Sequence, residues 1–287
     1  MELKMEQKFI DLFDRYTHGG MNRRDFLERL SELAGSSVAA TALLPMLENN
    51  YAFGAMVSEG DPSIVTGAAE IAPGIMGYLA RPKAAGTYPV VFVIHENRGL
   101  NPHIKDVTRR VAKEGFIAFG GDFLTAKGGT PADEDKAREL IGTLTPQQIS
   151  AFGTAALDAL VKIAGGNGKV GAVGFCWGGG VVNQLAVSGD PNLRAGVAYY
   201  GMQPKAGEVP RITAPLMLHY AGIDDRINAG IEDYEAALMA NGKLFEAFVY
   251  DGVNHAFNNE TNAARYNKAA ADLAWGRTVG FFRTYLA

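Results

Sequence analysis

The only cysteine in this 287-residue chain sits at the centre of Gly174-Phe175-Cys176-Trp177-Gly178. The run before it, Lys169-Val170-Gly171-Ala172-Val173, reads as a short buried strand, and Gly179 to Val187 reads as the apolar start of a helix. A strand that turns directly into a helix through G-x-C-x-G needs a turn so tight that its central residue is strained. Glycine flanks that residue because a side chain there would collide with the neighbouring strand and helix. A lone buried cysteine can also pack as a small hydrophobe. The strand-turn-helix context favours a nucleophile.

Bulk properties narrow the class. Hydrophobic residues make up 47% and charged residues 20%, as in an ordinary globular enzyme. A net charge of −4 gives no basic footprint, so no nucleic-acid partner is expected. One cysteine excludes an internal disulfide and a multi-cysteine metal site. No apolar run reaches the roughly 18–20 residues of a membrane span. The glycine pairs Gly120-Gly121 and Gly128-Gly129 lack phosphate-loop spacing, and no cofactor or metal is expected.

Residues 1–55 read as an extension apart from a catalytic domain over 56–287. Phe9, Leu12, Phe13 and Tyr16 form a helical stripe that Gly19-Gly20 ends. Asn22 can cap a second helix running through Phe26, Leu27, Leu30 and Leu33 to Leu47. Two readings stand. The segment is a helical hairpin packed on the catalytic domain, which implies a cytoplasmic protein. Alternatively, Asn22-Arg23-Arg24-Asp25-Phe26-Leu27 resembles a twin-arginine export signal, which implies a periplasmic one. Against export, about twenty residues with four acids precede it, Glu28 and Glu32 interrupt its apolar region, and no clean A-x-A site follows. The hairpin is the favoured reading.

Beyond residue 60, apolar strands alternate with amphipathic helices. Strands are expected at 75–79, 90–94, 116–119, 196–200, 216–220 and 245–250, and helices at 104–113, 231–240 and 264–285. The stretch 131–163 is helical with a break at 143–146. This implies an α/β fold whose mostly parallel sheet is flanked by helices on both faces. Sites in such sheets form at the carboxyl ends of strands. Glu96, Cys176, Asp224 and His255 all follow expected strands and so share one edge.

The cysteine elbow, His95-Glu96-Asn97-Arg98-Gly99-Leu100-Asn101, Gly222-Ile223-Asp224 and Asn254-His255-Ala256-Phe257 together resemble the dienelactone hydrolase family of α/β-hydrolases, over about residues 60 to 287. The resemblance implies an α/β-hydrolase fold and an ester or lactone hydrolase working through a Cys-His-Asp triad and a thioester acyl-enzyme.

In that fold the order is nucleophile, acid, histidine. Only His219 and His255 lie beyond Cys176. His219 sits inside an expected strand and reads as a satisfied core histidine, so the loop residue His255 is the base. The resemblance puts the acid three residues before an aliphatic residue; Ile227 then selects Asp224 over Asp225. It also implies that Glu96 meets the cysteine and takes part in its activation. Such a carboxylate would store the thiol proton and leave Cys176 mostly protonated at rest; an ordinary loop acid paired with Arg98 is the other reading. Backbone N–H groups of Trp177 and Asn97 would form the oxyanion hole. Asp122 precedes the nucleophile and reads as a loop anchor. Asp133-Glu134-Asp135 reads as the solvated first turn of a helix.

A thiolate expels poor alkoxides less readily than an alkoxide does, which points to activated small-molecule substrates: enol lactones, aryl esters or thioesters. The family resemblance leads one to expect arginines gripping a substrate carboxylate, one just past the catalytic histidine. Here Ala256 to Glu260 holds no basic residue, and the loop after Asp122 offers only Lys127 as a substrate contact. Dienelactone itself is therefore not assigned. The other class is a catalytically silent binding protein on this fold, against which the retention of Cys176, Asp224, His255 and Glu96 argues. The sequence sets no oligomeric state.

Overall fold

A computed structural model describes residues 5–52 and 55–287. Residues 53–54, at the junction drawn from sequence, lie outside the described part.

The N-terminal segment folds as three helices, α1 (Gln7–Thr17), α2 (Arg23–Ala34) and α3 (Ser37–Leu47). The long second helix expected from sequence is broken. Gly35 takes φ +81° and ends α2, Ser36 caps α3 by accepting from the Ala39 N–H, and the two axes meet at 113°. No single described helix is long and apolar enough to cross a membrane; α2 and α3 reach that composition only as this bent pair.

Eight strands follow: β1 (Ile64–Ala72), β2 (Ile75–Pro82), β3 (Tyr88–Ile94), β4 (Ile117–Gly121), β5 (Gly166–Phe175), β6 (Leu193–Tyr199), β7 (Leu216–Ile223) and β8 (Phe245–Asn254). Their order across the sheet is β1-β2-β4-β3-β5-β6-β7-β8. Both pairings of β2 are antiparallel and every pairing from β4 to β8 is parallel. The remaining helices are α4 (Pro102–Lys113), α5 (Glu134–Gly142), α6 (Pro146–Leu160), α7 (Trp177–Ser188), α8 (Asp225–Asn228), α9 (Ile231–Ala240) and α10 (Lys268–Leu286). The break expected at 143–146 is a capping box: Thr145 accepts from the Gln148 N–H while Gln148 accepts from Thr145.

Helices cover both sheet faces. One core layer holds Phe92, Phe119, Leu157 and Leu185; the other holds Val91, Phe116, Phe175 and Phe282. The central strands read as continuous apolar runs because both faces are buried. Strand β1 had no counterpart in the sequence reading. It is an edge strand, half exposed, with Gly67 in its middle, so it lacks a buried apolar run. The whole is the α/β-hydrolase architecture expected from sequence. The N-terminal helices pack a separate cluster around Phe13, Tyr16, Phe26 and Leu30.

Candidate active site

The turn between β5 and α7 forces Cys176 to φ 54°, ψ −113°, a strained region for a residue with a side chain. Its N–H donates to the Tyr199 carbonyl at 3.0 Å, which fixes the elbow on β6. The flanking glycines are sterically required. A Cβ on Gly174 would overlap the Gly178 backbone, and one on Gly178 would lie 2.5 Å from the carbonyl oxygens of both Ile94 and His95.

His255 follows β8 and Asp224 follows β7. His255 Nδ1 lies 2.6 Å from Asp224 Oδ2, and both side chains are buried. The carboxylate accepts, so Nδ1 carries a proton. Nε2 is buried without a hydrogen-bond partner. Asp224 also caps α8, its Oδ1 accepting from the Ile227 N–H. Asp225, one residue on, is exposed. His219 is fully buried and bonded to the Tyr250 hydroxyl and to Thr278 Oγ1. Burial and the Arg277 charge lower it to about 3, so it stays neutral.

The sulfur has a partner that sequence order did not suggest. His18 Nε2 lies 3.3 Å from Cys176 Sγ, although 158 residues separate the two in sequence. His18 comes just after α1, so ranking histidines by their position after the nucleophile passed over it. Its Nδ1 sits 2.8 Å from the Asp14 carbonyl oxygen and 3.2 Å from Asp14 Oδ1. The His18 and His255 rings are 4.7 Å apart, edge to face. Sγ and one ring nitrogen of each histidine fall within 4.8 Å of one another, a reach that a single cation could also share.

This environment favours charge separation. Burial alone would push the Cys176 thiol up, but the charges of His255 and His18 and the His18 bond outweigh it and bring the thiol down to about 6. Burial opposes charging His255 as well, and the sulfur and Asp224 raise it to about 10. His18 is raised in the same way, against burial, by Cys176 and Asp14.

Glu96 departs from expectation. It makes no hydrogen bond to Cys176; its Oε2 accepts from Asn259 Nδ2 at 2.9 Å, which ties the β3 loop to the loop carrying His255. The sulfur is held by His18 instead, and its surroundings favour thiolate, contrary to the protonated resting state expected from sequence. Nor does Glu96 pair with Arg98, which bridges to Glu134 at 3.2 Å. Lys127 is likewise misplaced as a substrate contact. It sits exposed in a short turn and takes no part in the site cavity. Asp122 anchors its loop as expected, accepting from the N–H groups of Leu124 and Thr130.

Trp177 opens α7 and Asn97 follows Glu96, and among the described residues neither backbone N–H has an acceptor. His95 steadies both. Its ring stacks on Trp177 at 5.2 Å, and Nδ1 lies 2.6 Å from the Glu96 carbonyl oxygen. A cavity of about 1080 Å³ opens beside the sulfur, walled by Tyr16, His18, Arg138, Trp177, Met202 and Arg226. The acidic run 133–135 is more than a solvated turn. Asp133 caps α5, and Asp135 accepts from the Tyr16 hydroxyl at 2.6 Å and pairs with Arg23 at 2.9 Å.

Residues 75–286 match the model of the dienelactone hydrolase family, and residues 4–35 match a YqhI-like model. A putative carboxymethylenebutenolidase from Escherichia coli O157:H7 is 32% identical over 249 residues, 80% of this chain and 91% of that protein. One from Methylorubrum extorquens is 32% identical over 227 residues, 74% of this chain and 77% of its own length. Among solved structures, a putative dienelactone hydrolase from Klebsiella pneumoniae superposes with a TM-score of 0.68 at 30% identity, covering 77% of this chain and 99% of that one.

Proposed function

This chain is a hydrolase belonging to the dienelactone hydrolase family, and from that premise we propose that it cleaves activated carboxylic esters or lactones through a thioester on Cys176. The observation that carries the reading is the pair His255–Asp224, 2.6 Å apart, with an Nε2 that has no other hydrogen-bond partner beside a strained, thiolate-prone sulfur. Cys176 adds to the acyl carbon; the N–H groups of Trp177 and Asn97 receive the negative charge on the carbonyl oxygen. His255 protonates the leaving oxygen, then takes a proton from the water that hydrolyses the thioester. Asp224 holds the tautomer and supports the imidazolium. Glu96 acts as a positioning residue through Asn259, which sits four residues past His255. A small-molecule substrate fits the cavity beside the sulfur, and activated acyl groups suit a thiolate that expels alkoxides poorly. The helical segment 5–52 is proposed to stay with the catalytic body, and the protein to be cytoplasmic.

Cys176→Ala, assayed on a panel of aryl esters, enol lactones and thioesters, is expected to lose turnover and the acyl adduct seen by intact-mass spectrometry while keeping its fold. Undiminished turnover in that variant would overturn the reading.

A further inference from the structure

We infer that His18 is a catalytic residue, an imidazole contributed by the N-terminal arm whose Nε2–H holds the Cys176 sulfur as thiolate at rest and again as it leaves the thioester. The inference rests on the reading of Cys176 and His255 above. Nε2 lies 3.3 Å from Sγ. The Asp14 carbonyl oxygen, 2.8 Å from Nδ1, can only accept, so Nδ1 carries a proton. Asp14 Oδ1, itself 3.6 Å from Arg265, lies 3.2 Å from the same nitrogen and favours a second proton on the ring. The charged or titratable groups facing His18 are thus Asp14, Cys176 and His255, with Arg265 behind Asp14. The two residues preceding His18 are pinned by their carbonyls: Arg138 donates to Tyr16 at 3.1 Å and the Asn97 side chain donates to Thr17 at 2.7 Å.

The chemistry gives this second imidazole a task. In acylation Sγ adds to the carbonyl carbon, the bond to the leaving oxygen breaks, and His255 supplies that oxygen's proton. In deacylation neutral His255 takes a proton from water and hydroxide adds to the thioester. The C–S bond then breaks and its electron pair returns to sulfur. His255 enters that step neutral and becomes cationic only by taking the proton from water. Until then His18 Nε2–H, 3.3 Å away, is the imidazole donor facing the sulfur, and as the C–S bond breaks the returning electron pair meets two donors, one on each ring. The acid product releases one proton to solvent. The hydrolase family model begins at residue 75, so this imidazole lies outside it. Removal of the arm as an export signal would remove the residue too.

The test uses the full chain carrying His18→Ala or His18→Gln, with p-nitrophenyl acetate in stopped flow. The acylation burst should keep its amplitude but slow, because less of the sulfur rests as thiolate, while steady-state turnover should fall at least tenfold and acyl-enzyme should accumulate. Added imidazole should restore part of the turnover in His18→Ala. Asp14→Asn, which keeps the ring, should fall between the variants and wild type. A rise in KM alone, a burst lost in parallel with turnover, or unchanged turnover would each overturn the inference. His255→Ala separates the two readings, because surviving turnover there refutes the base and leaves His18 to be judged by the burst.

Discussion

The Asp224 carboxylate serves two elements at once, with one oxygen on His255 Nδ1 and the other capping α8 at Ile227. Asp224→Asn keeps the cap but offers the ring an amide, which can stabilise the wrong tautomer. Turnover should fall by about three to four orders of magnitude, whereas Asp225→Asn at an exposed position should change it little. Equal losses, measured as kcat/KM on one ester, would contradict this assignment. The pH profile follows from the same cluster. The thiolate is the charged form and its pKa is depressed, so it is present above about 6 and lost as pH falls through that value. The His255 cation is favoured and persists until pH rises through about 10. Iodoacetamide should therefore alkylate Cys176 with a midpoint near pH 6. A midpoint near the ordinary thiol value of about 8.5 would show that the imidazoles do not support the thiolate. Cys176 and His255 could be picked from sequence because each follows a strand in a fixed order, whereas Asp224 was separated from Asp225 only by the family resemblance, through Ile227. Glu96 and Lys127 were placed at the site by resemblance, which does not reveal that Asn259 takes the Glu96 carboxylate or that Lys127 lies outside the cavity wall. His18 had no signal in its surroundings: a histidine between a helix end and Gly19-Gly20 looks like any surface turn.

The elbow depends on two elements approaching closer than side chains allow. Gly178 lets the start of α7 rest on the carbonyls that end β3, and the Cβ of Gly178→Ala would sit 2.5 Å from the Ile94 and His95 oxygens. Those oxygens are backbone and cannot swing aside, so the variant should lose about 1–3 kcal/mol of stability, as overpacked sites do. Turnover should also drop, because the Trp177 N–H moves with the helix. The matched control is Gly280 in α10, exposed and with nothing within 4 Å of the place an added methyl would take. Gly280→Ala should be neutral or gain up to about 1 kcal/mol from helix propensity. Urea unfolding of the pair tests this, and equal effects would show that contact geometry is not what selects glycine at 178. The same reasoning explains where the sequence reading of elements failed. The central parallel strands are buried on both faces and stand out as apolar runs, whereas β1 is half exposed and carries Gly67. The α2–α3 break hangs on one glycine in a left-handed turn inside an otherwise continuous helical pattern.

How the N-terminal helices sit on the hydrolase body decides whether His18 stays at the sulfur. Their apolar cluster is largely self-contained; among the described residues Ala264 is the one hydrophobic side chain of the body packed against it. The rest of the seam is mostly polar, with Tyr16 and Arg23 on Asp135, Arg138 on the Tyr16 carbonyl, Asn97 on the Thr17 carbonyl and Gln7 on Asn254, together with the guanidinium groups of Arg98 and Arg265 over the Phe13 ring and of Arg138 over the Tyr16 ring. Polar seams contribute less per contact than buried apolar area, since each bond replaces one made to water. The arm should therefore release before the eight-stranded sheet unfolds, as weakly docked elements do. In urea, ester turnover should decline at lower concentration than far-UV ellipticity, because undocking removes His18 and opens the cavity wall while the sheet remains folded. Asp135→Ala deletes the acceptor shared by Tyr16 and Arg23 and should widen the gap between the two curves. It should also speed proteolytic cleavage in the Gly19–Asn22 turn. Coincident curves for wild type and variant alike would mean that arm and sheet unfold as one cooperative unit.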